Sequence, residues 1–222
     1  MGSIFTSSIG KKLIMSITGL FLILFLVVHL LANSAYLFGP DAFDTIIMIM
    51  GSPIVVIMVP VLAAGFVIHI FYASYLTLTN LRARGNVKYA IPNSGKADSW
   101  SSKNMFVLGA IVLGFLAFHL THFWAKMQLQ DFTGGEAENV NDLMELTFGN
   151  IWVVIAYAVW FAALWYHLTH GFWSAFQTIG LNNSKWLNRW KAVAYAYATF
   201  IFLGFLTIAV SAYLKANGYC YL

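Results

Sequence analysis

The chain has 222 residues, of which 60% are hydrophobic and 9% charged, with a formal net charge of +4. Its mean hydropathy of +0.76 excludes an ordinary soluble globular domain. The single cysteine, Cys220, excludes an intrachain disulfide, and no C-x-x-C-H motif is present for covalent haem attachment. The composition therefore predicts an all-α, polytopic membrane protein, with the lipid bilayer and no nucleic acid as its surroundings.

Five stretches are long enough to cross a hydrocarbon core, which needs about 20 apolar residues in a helix. None of them carries an acidic residue in its body. They are residues 13–38, 54–80, 104–127, 150–179 and 192–216. We therefore predict a single transmembrane domain over residues 1–222, whose first apolar run is a retained helix and not a cleaved signal peptide.

Charge differs between the connections. Positive residues gather at the N-terminus and in the second and fourth connections: Lys11, Lys12, Arg82, Arg84, Lys88, Lys96, Lys103, Lys185, Arg189 and Lys191. Acidic residues gather in the first and third connections: Asp41, Asp44, Asp131, Glu136, Glu138, Asp142 and Glu145. The positive-inside rule then predicts an inner or cytoplasmic membrane protein with a cytoplasmic N-terminus and an outer C-terminus. We call the two sides of the bundle the basic end and the acidic end.

Three local features are predicted in the connections and helix starts. The second connection reads as a surface loop with turns at residues 84–85 and 92–93. The third connection is expected to hold a short interfacial helix near residues 141–146. Pro53 and Pro60 are placed in the first turns of the second span, where a missing backbone donor costs little.

All six histidines fall inside the first four spans: His29, His69, His119, His122, His167 and His170. An ionisable side chain within a membrane span is costly and by default suggests a functional site. The alternative for any one of them is a hydrogen bond to a neighbouring helix. A set with members on each of the first four helices and none on the fifth favours the functional interpretation.

Depth sorts four of the histidines into two pairs. His29 and His119 lie 10 and 7 residues from the acidic end of their spans, which is about 10–15 Å at the helical rise. His69 and His167 each lie 13 residues from the basic end, about 20 Å away. We call these the acidic-end pair and the basic-end pair.

Two histidines on two helices at one depth, repeated at a second depth, is the arrangement that two bis-imidazole haems require. Each iron takes one imidazole nitrogen from either side of the macrocycle. Gly171 lies four residues after His167, on the same helical face, and is expected to leave room for the porphyrin edge. The prediction is a bundle of four helices around two stacked haems.

The strings "FHLTHFW" and "YHLTHGFW" each carry a second histidine. His122 is close to the end of its span, and His170 is out of register with His69, so His119 and His167 are favoured as ligands. Two interpretations stay open for His122 and His170. In the first, they donate hydrogen bonds to haem propionates, to a quinone or to the carbonyl of another ligand. In the second, they form plain interhelical hydrogen bonds.

A resemblance to a known family extends over nearly the whole chain. It is carried by the strings "KKLIMSITG", "VVHLLAN", "VIHIFY", "FHLTHFW" and "HLTHGFWSAFQTIG". Through them the chain resembles the dihaem, single-polypeptide cytochrome b subunit of succinate:quinone oxidoreductases, the succinate dehydrogenases and fumarate reductases with five transmembrane helices. The last string is the most specific, because His167, Gly171 and Gly180 have the spacing of the family's fourth helix.

The resemblance implies a set of cofactor ligands. The family pairs its first-helix and third-helix histidines, here His29 and His119, on the haem b distal to the cytoplasmic subunits. It pairs the second-helix and fourth-helix histidines, here His69 and His167, on the proximal haem b. Ser16 matches a family position near the propionates of the proximal haem.

The resemblance also implies a function as the membrane subunit of an enzyme complex. In the family, a flavoprotein subunit interconverts succinate and fumarate, as in the tricarboxylic acid cycle, and an iron-sulfur subunit relays the electrons. The cytochrome anchors both at the cytoplasmic face and passes electrons through its two haems to a membrane quinone, expected here to be menaquinone. Candidates for the quinone site are Asn33, Tyr36, Phe123 and Trp124, each equally explained by packing.

Other functions stay open at this level. The membrane cytochrome of a hydrogenase, formate dehydrogenase or nitrate reductase is the strongest alternative within electron transfer. A cytochrome b of the bc complexes is disfavoured, because it places two ligands on each of two helices. A proton-coupled transporter with intramembrane histidines is expected to add carboxylates or broken helices, which these spans lack. A structural anchor without haem is the third alternative.

Overall fold

The structure, a computed structural model, describes residues 7–84 and 100–219. No strand occurs in these two ranges, so the all-α prediction is confirmed. The helices in chain order are α1 (Ser8–Ser34), α2 (Pro40–Met50), α3 (Pro53–Arg84), α4 (Trp100–Lys103), α5 (Met105–His119), α6 (Gln128–Thr133), α7 (Val140–Phe148), α8 (Ile151–Thr178) and α9 (Trp186–Ala216).

Five of these helices, with short continuations, are long and apolar enough to cross a membrane, which confirms the predicted polytopic architecture. They are Ser8–Phe38, Pro53–Ala83, Met105–Trp124, Ile151–Thr178 and Trp186–Ala216. The first begins five residues before the predicted start, because Ser7 caps it by accepting a hydrogen bond from the Gly10 amide at 3.0 Å. The start of this helix is therefore set by the Ser7 cap and not by the lysines that border the apolar run.

The connections contain more helix than the sequence predicted. The expected interfacial helix is α7, whereas α2 was not predicted. Pro53 opens α3, but Pro60 lies inside it, two turns from the start. The predicted turns at residues 84–85 and 92–93 extend into residues 85–99, which lie outside the described ranges.

Helices α2 and α7 meet at the acidic end, and we call them the acidic-end cap. Asn141 of α7 donates a hydrogen bond to the Asp44 carboxylate of α2 at 2.8 Å. Phe43, Leu143 and Met144 are buried beneath this link. The cap therefore places apolar side chains, and not an open polar loop, over that end of the bundle.

Helix α8 is the centre of the bundle and packs against α1, α5 and α9, while α1 packs against α3. Close approach depends on small residues. A Cβ on Gly65 of α3 would lie 2.7 Å from the Phe21 ring of α1, and Ala194 and Ala198 of α9 are fully buried. In contrast, α3 and α5 make little contact with each other.

One hydrogen bond joins α9 to the middle of α1. The Tyr197 hydroxyl donates to the backbone carbonyl of Ile23 at 2.6 Å. The Tyr197 ring also packs against Phe172 of α8, with ring centroids 5.2 Å apart. Tyr197 thereby ties three helices together.

We expect Tyr197→Phe to lower the stability of the folded protein in detergent by about 0.6 kcal/mol, the mean measured for hydrogen bonds between membrane helices. The measurement is thermal unfolding followed by circular dichroism. Tyr195→Phe, at a position 48% exposed on the same helix, is the matched control. Equal unfolding midpoints for both variants would contradict the proposed tie.

Candidate functional site

The acidic-end pair is brought together across the bundle. The ring centroids of His29 on α1 and His119 on α5 lie 5.8 Å apart, and the ring planes are nearly perpendicular at 87°. The two residues come from helices with another span between them in the chain. Their approach is therefore a product of tertiary packing.

The basic-end pair has the same arrangement on the other two helices. The ring centroids of His69 on α3 and His167 on α8 lie 6.5 Å apart, with an interplanar angle of 74°. The structure thus brings together the same two pairs that were matched by depth. Each of α1, α3, α5 and α8 contributes one ring.

These separations suit an iron held between two imidazoles. A metal–imidazole nitrogen bond is about 2 Å long, so two rings on opposite sides of one iron have centroids about 6 Å apart. A haem iron needs only two axial ligands from the protein, since its macrocycle supplies the others. A bare metal ion needs more, and residues 7–84 and 100–219 contain no group of three His, Cys, Asp or Glu side chains that would hold one.

The ring nitrogens show which atoms are available. His69 Nδ1 lies 3.3 Å from the Thr18 hydroxyl, and His29 Nδ1 lies 3.4 Å from the Asn33 side-chain nitrogen. The Nδ1 atoms of His119 and His167 are buried without a hydrogen-bond partner, which costs about 1–3 kcal/mol per group. In His29 and His69 the contact uses Nδ1, so Nε2 is the nitrogen available to a metal.

Apolar rings surround the acidic-end pair. Phe25 stacks on His29 at 5.3 Å, while Phe115 and Phe123 flank His119 at 5.7 and 5.2 Å between ring centroids. Such surroundings exclude water and pack well against a flat, largely apolar macrocycle. The chemistry of these neighbours therefore fits a haem.

Glycines lie beside the basic-end pair. A Cβ on Gly19 would lie 3.3 Å from the His69 ring, and one on Gly109 would lie 3.7 Å from the His167 ring. A Cβ on Gly171 would meet only the terminal methyl carbon of Met105, at 3.9 Å. The space beside Gly171 is thus open, as a group seated next to His167 would need.

His122 and His170 lie outside both pairs. His122 Nδ1 is 3.1 Å from the Tyr157 hydroxyl of α8, and the His170 ring packs edge-on against Trp173 with centroids 4.9 Å apart. For His122 the structure thus gives one of the two open interpretations, an interhelical hydrogen bond. Tyr157 is 1% exposed, so His122 supplies the partner that this buried hydroxyl needs.

His122 sits in a π-helical turn, Leu120–Trp124, that continues α5. The amide of Ala125 bonds to the carbonyl of Leu120 at 2.8 Å and closes this wider turn. The related string in α8 keeps regular α-helical geometry. Turns of this type often occur at functional sites, and this one immediately follows His119.

The other predicted site residues lie either towards the basic end or towards the acidic end of the bundle. Ser16 is buried near the basic end, one turn before Gly19. At the acidic end, the Tyr36 hydroxyl is buried without a hydrogen-bond partner, and Trp124 is half-buried. The Asn33 amide donates to the carbonyl of His29 at 2.8 Å.

Two neighbours of the site were missed by the sequence analysis, namely Thr18 and Tyr157. Both are hydrogen-bonding side chains inside apolar spans, which is the signal that could have identified them. A hydroxyl group inside an apolar span needs a hydrogen-bond partner in lipid, as a histidine does.

No protein-family model matches the chain, and no curated protein or solved structure matches it. The site is therefore defined by the chain's own residues. They form two facing imidazole pairs at two depths of an apolar helical bundle.

If the two imidazole pairs bind haem as the sequence predicts, we expect Gly171→Leu to retain one haem per chain in place of two, because a leucine side chain would fill the open space beside His167. Haem is measured as the pyridine haemochrome against protein concentration. Val159→Leu adds bulk at a 63% exposed position of the same helix and should leave the content unchanged. Two haems per chain in Gly171→Leu would show that the space is not used.

Proposed function

We propose that this chain is the membrane-anchor cytochrome b subunit of a succinate:quinone oxidoreductase. It exchanges electrons between an iron-sulfur subunit and a membrane quinone. The observation that carries the proposal is the pair of facing imidazoles repeated at two depths, 5.8 and 6.5 Å between ring centroids. The resemblance of the histidine strings to that family adds the succinate and fumarate chemistry of the partner subunits.

Two haems b, when bound, supply one-electron carriers at two depths of the membrane. The chain's contribution is to hold and orient them. His29 and His119 would hold the haem iron at the acidic end, and His69 and His167 would hold the one at the basic end. At the acidic-end pair, phenylalanine rings exclude water, so these surroundings would favour electron transfer over ligand binding at the iron.

The basic end is the proposed docking face for the flavoprotein and iron-sulfur subunits. By the positive-inside rule it faces the cytoplasm. Lys11 at this end lies over the Tyr75 ring at 4.5 Å and donates to its hydroxyl at 3.0 Å, so α1 and α3 present a joined surface. Positive charge on such a surface steers an acidic partner and fixes its orientation.

The quinone site is proposed at the acidic end, beside Tyr36. Its hydroxyl is a donor buried without a partner, and a quinone carbonyl is an acceptor that would satisfy it. The ammonium group of Lys215 lies 4.9 Å from the Tyr36 ring centroid, so positive charge is available near a developing quinol anion. Menaquinone is the expected substrate.

The decisive experiment is a reduced-minus-oxidised optical spectrum of the purified chain with single histidine replacements. We expect two b-type haems in the wild type and in His122→Ala and His170→Ala. We expect one haem in His119→Ala and in His167→Ala, because each replacement would remove a proposed iron ligand. A featureless wild-type spectrum would refute the proposal, and co-purification of flavoprotein and iron-sulfur subunits separates it from other respiratory cytochromes.

We expect Tyr36→Phe to slow quinone reduction by the assembled complex about tenfold, the loss that follows removal of one hydrogen bond of about 1.4 kcal/mol. Both haems and their spectra should be retained. The assay is succinate-driven reduction of a soluble menaquinone analogue, with Tyr195→Phe as the control. Unchanged kinetics in Tyr36→Phe would exclude the hydroxyl from the quinone site.

A further inference from the structure

Thr18 of α1 contacts the side chain of His69 on α3. Its hydroxyl oxygen lies 2.9 Å from the carbonyl of Ile14, 3.0 Å from that of Met15 and 3.3 Å from His69 Nδ1. A hydroxyl has one proton and two lone pairs. Since its proton is directed to the carbonyls of its own helix, what it offers His69 is a lone pair.

This geometry selects one tautomer of His69. A neutral imidazole carries one N–H, and Nδ1 must carry it in order to donate to the Thr18 oxygen. Nε2 is then left unprotonated, which is the state that an iron ligand requires.

Gly19 makes this contact sterically compatible with close packing. A Cβ at position 19 would lie 3.3 Å from the His69 ring carbon Cε1, closer than most real contacts of this kind. The dipeptide Thr18–Gly19 therefore provides both an acceptor and the clearance for the ring.

The other candidate ligands lack an equivalent. His167 lies against Gly109, but its Nδ1 is buried without a partner. At the acidic end, the Asn33 side-chain nitrogen already donates to the His29 carbonyl, so it presents an N–H to His29 Nδ1 where an acceptor would be needed. Among the four rings, His69 is the one that a hydroxyl acceptor holds.

We propose that Thr18 is a positioning residue that fixes His69 as the Nδ1–H tautomer and so lowers the redox potential of the basic-end haem. The inference rests on the proposed haem ligation. An acceptor at Nδ1–H makes the imidazole a stronger electron donor through Nε2. A stronger imidazole donor would favour ferric over ferrous iron, which is how a hydrogen bond to an iron ligand tunes the potential of a haem.

The test is a redox titration of both haems in wild type, Thr18→Val and Thr18→Ser. Valine keeps the shape of threonine and removes the acceptor, whereas serine retains it. We expect one midpoint potential to rise in Thr18→Val, by about 59 mV for each tenfold loss of ferric preference. The other potential should not move, and Thr18→Ser should match the wild type.

Two further variants make the result specific. The single haem left in His69→Ala gives the potential of the acidic-end haem and identifies which of the two moved. Thr178→Val removes a hydroxyl that donates to Ser174 on its own helix and controls for loss of a helix hydroxyl. It should titrate as the wild type does.

Loss of the basic-end haem in Thr18→Val, with both haems kept in Thr18→Ser, would also support the role. Unchanged potentials in Thr18→Val, or equal shifts in the valine and serine variants, would overturn it. If the wild type binds no haem, the proposed function itself is refuted. The haem content of the wild type is therefore measured before the variants are compared.

Discussion

Imidazole rings in an apolar helical bundle set the constraint on which the rest of the structure depends. A buried ring nitrogen needs a partner, and Nδ1 of His119 and of His167 has none. Each ring faces a second imidazole from another helix, at a distance that one metal centre would bridge. Glycines keep space beside the basic-end pair. Phenylalanine rings exclude water from the acidic-end pair.

The two "HLTH" strings show how one sequence pattern is used in two ways. In each, the first histidine faces its pair partner and the second turns elsewhere. In α5 the second histidine lies in a π-helical turn and satisfies Tyr157, whereas in α8 it lies in a regular helix next to Trp173. Depth distinguishes the ligand candidates, and local helix geometry determines what the remaining histidine contacts.

Much of this architecture follows from the sequence because depth in a membrane depends only on residue count and helical rise. That is why the five spans and the facing of His29 with His119 and of His69 with His167 were predicted. The rotation of a helix about its own axis is harder to predict, because the apolar part of α3 has no pattern of polar residues along one side. The contact of Thr18 with His69 depends on the rotation of α1 and α3, and that of Tyr157 with His122 depends on the rotation of α5 and α8. The helix α2 was missed because its apolar run is too short to span.

Each facing pair joins the first half of the chain to the second. During synthesis the acidic-end pair becomes complete once α5 has entered the bilayer, whereas the basic-end pair must wait for α8. The first two spans, α1 and α3, therefore carry imidazoles that lack their pair partners until later spans are inserted. Insertion of this protein consequently has a built-in order, in which one imidazole pair is complete before the other can form.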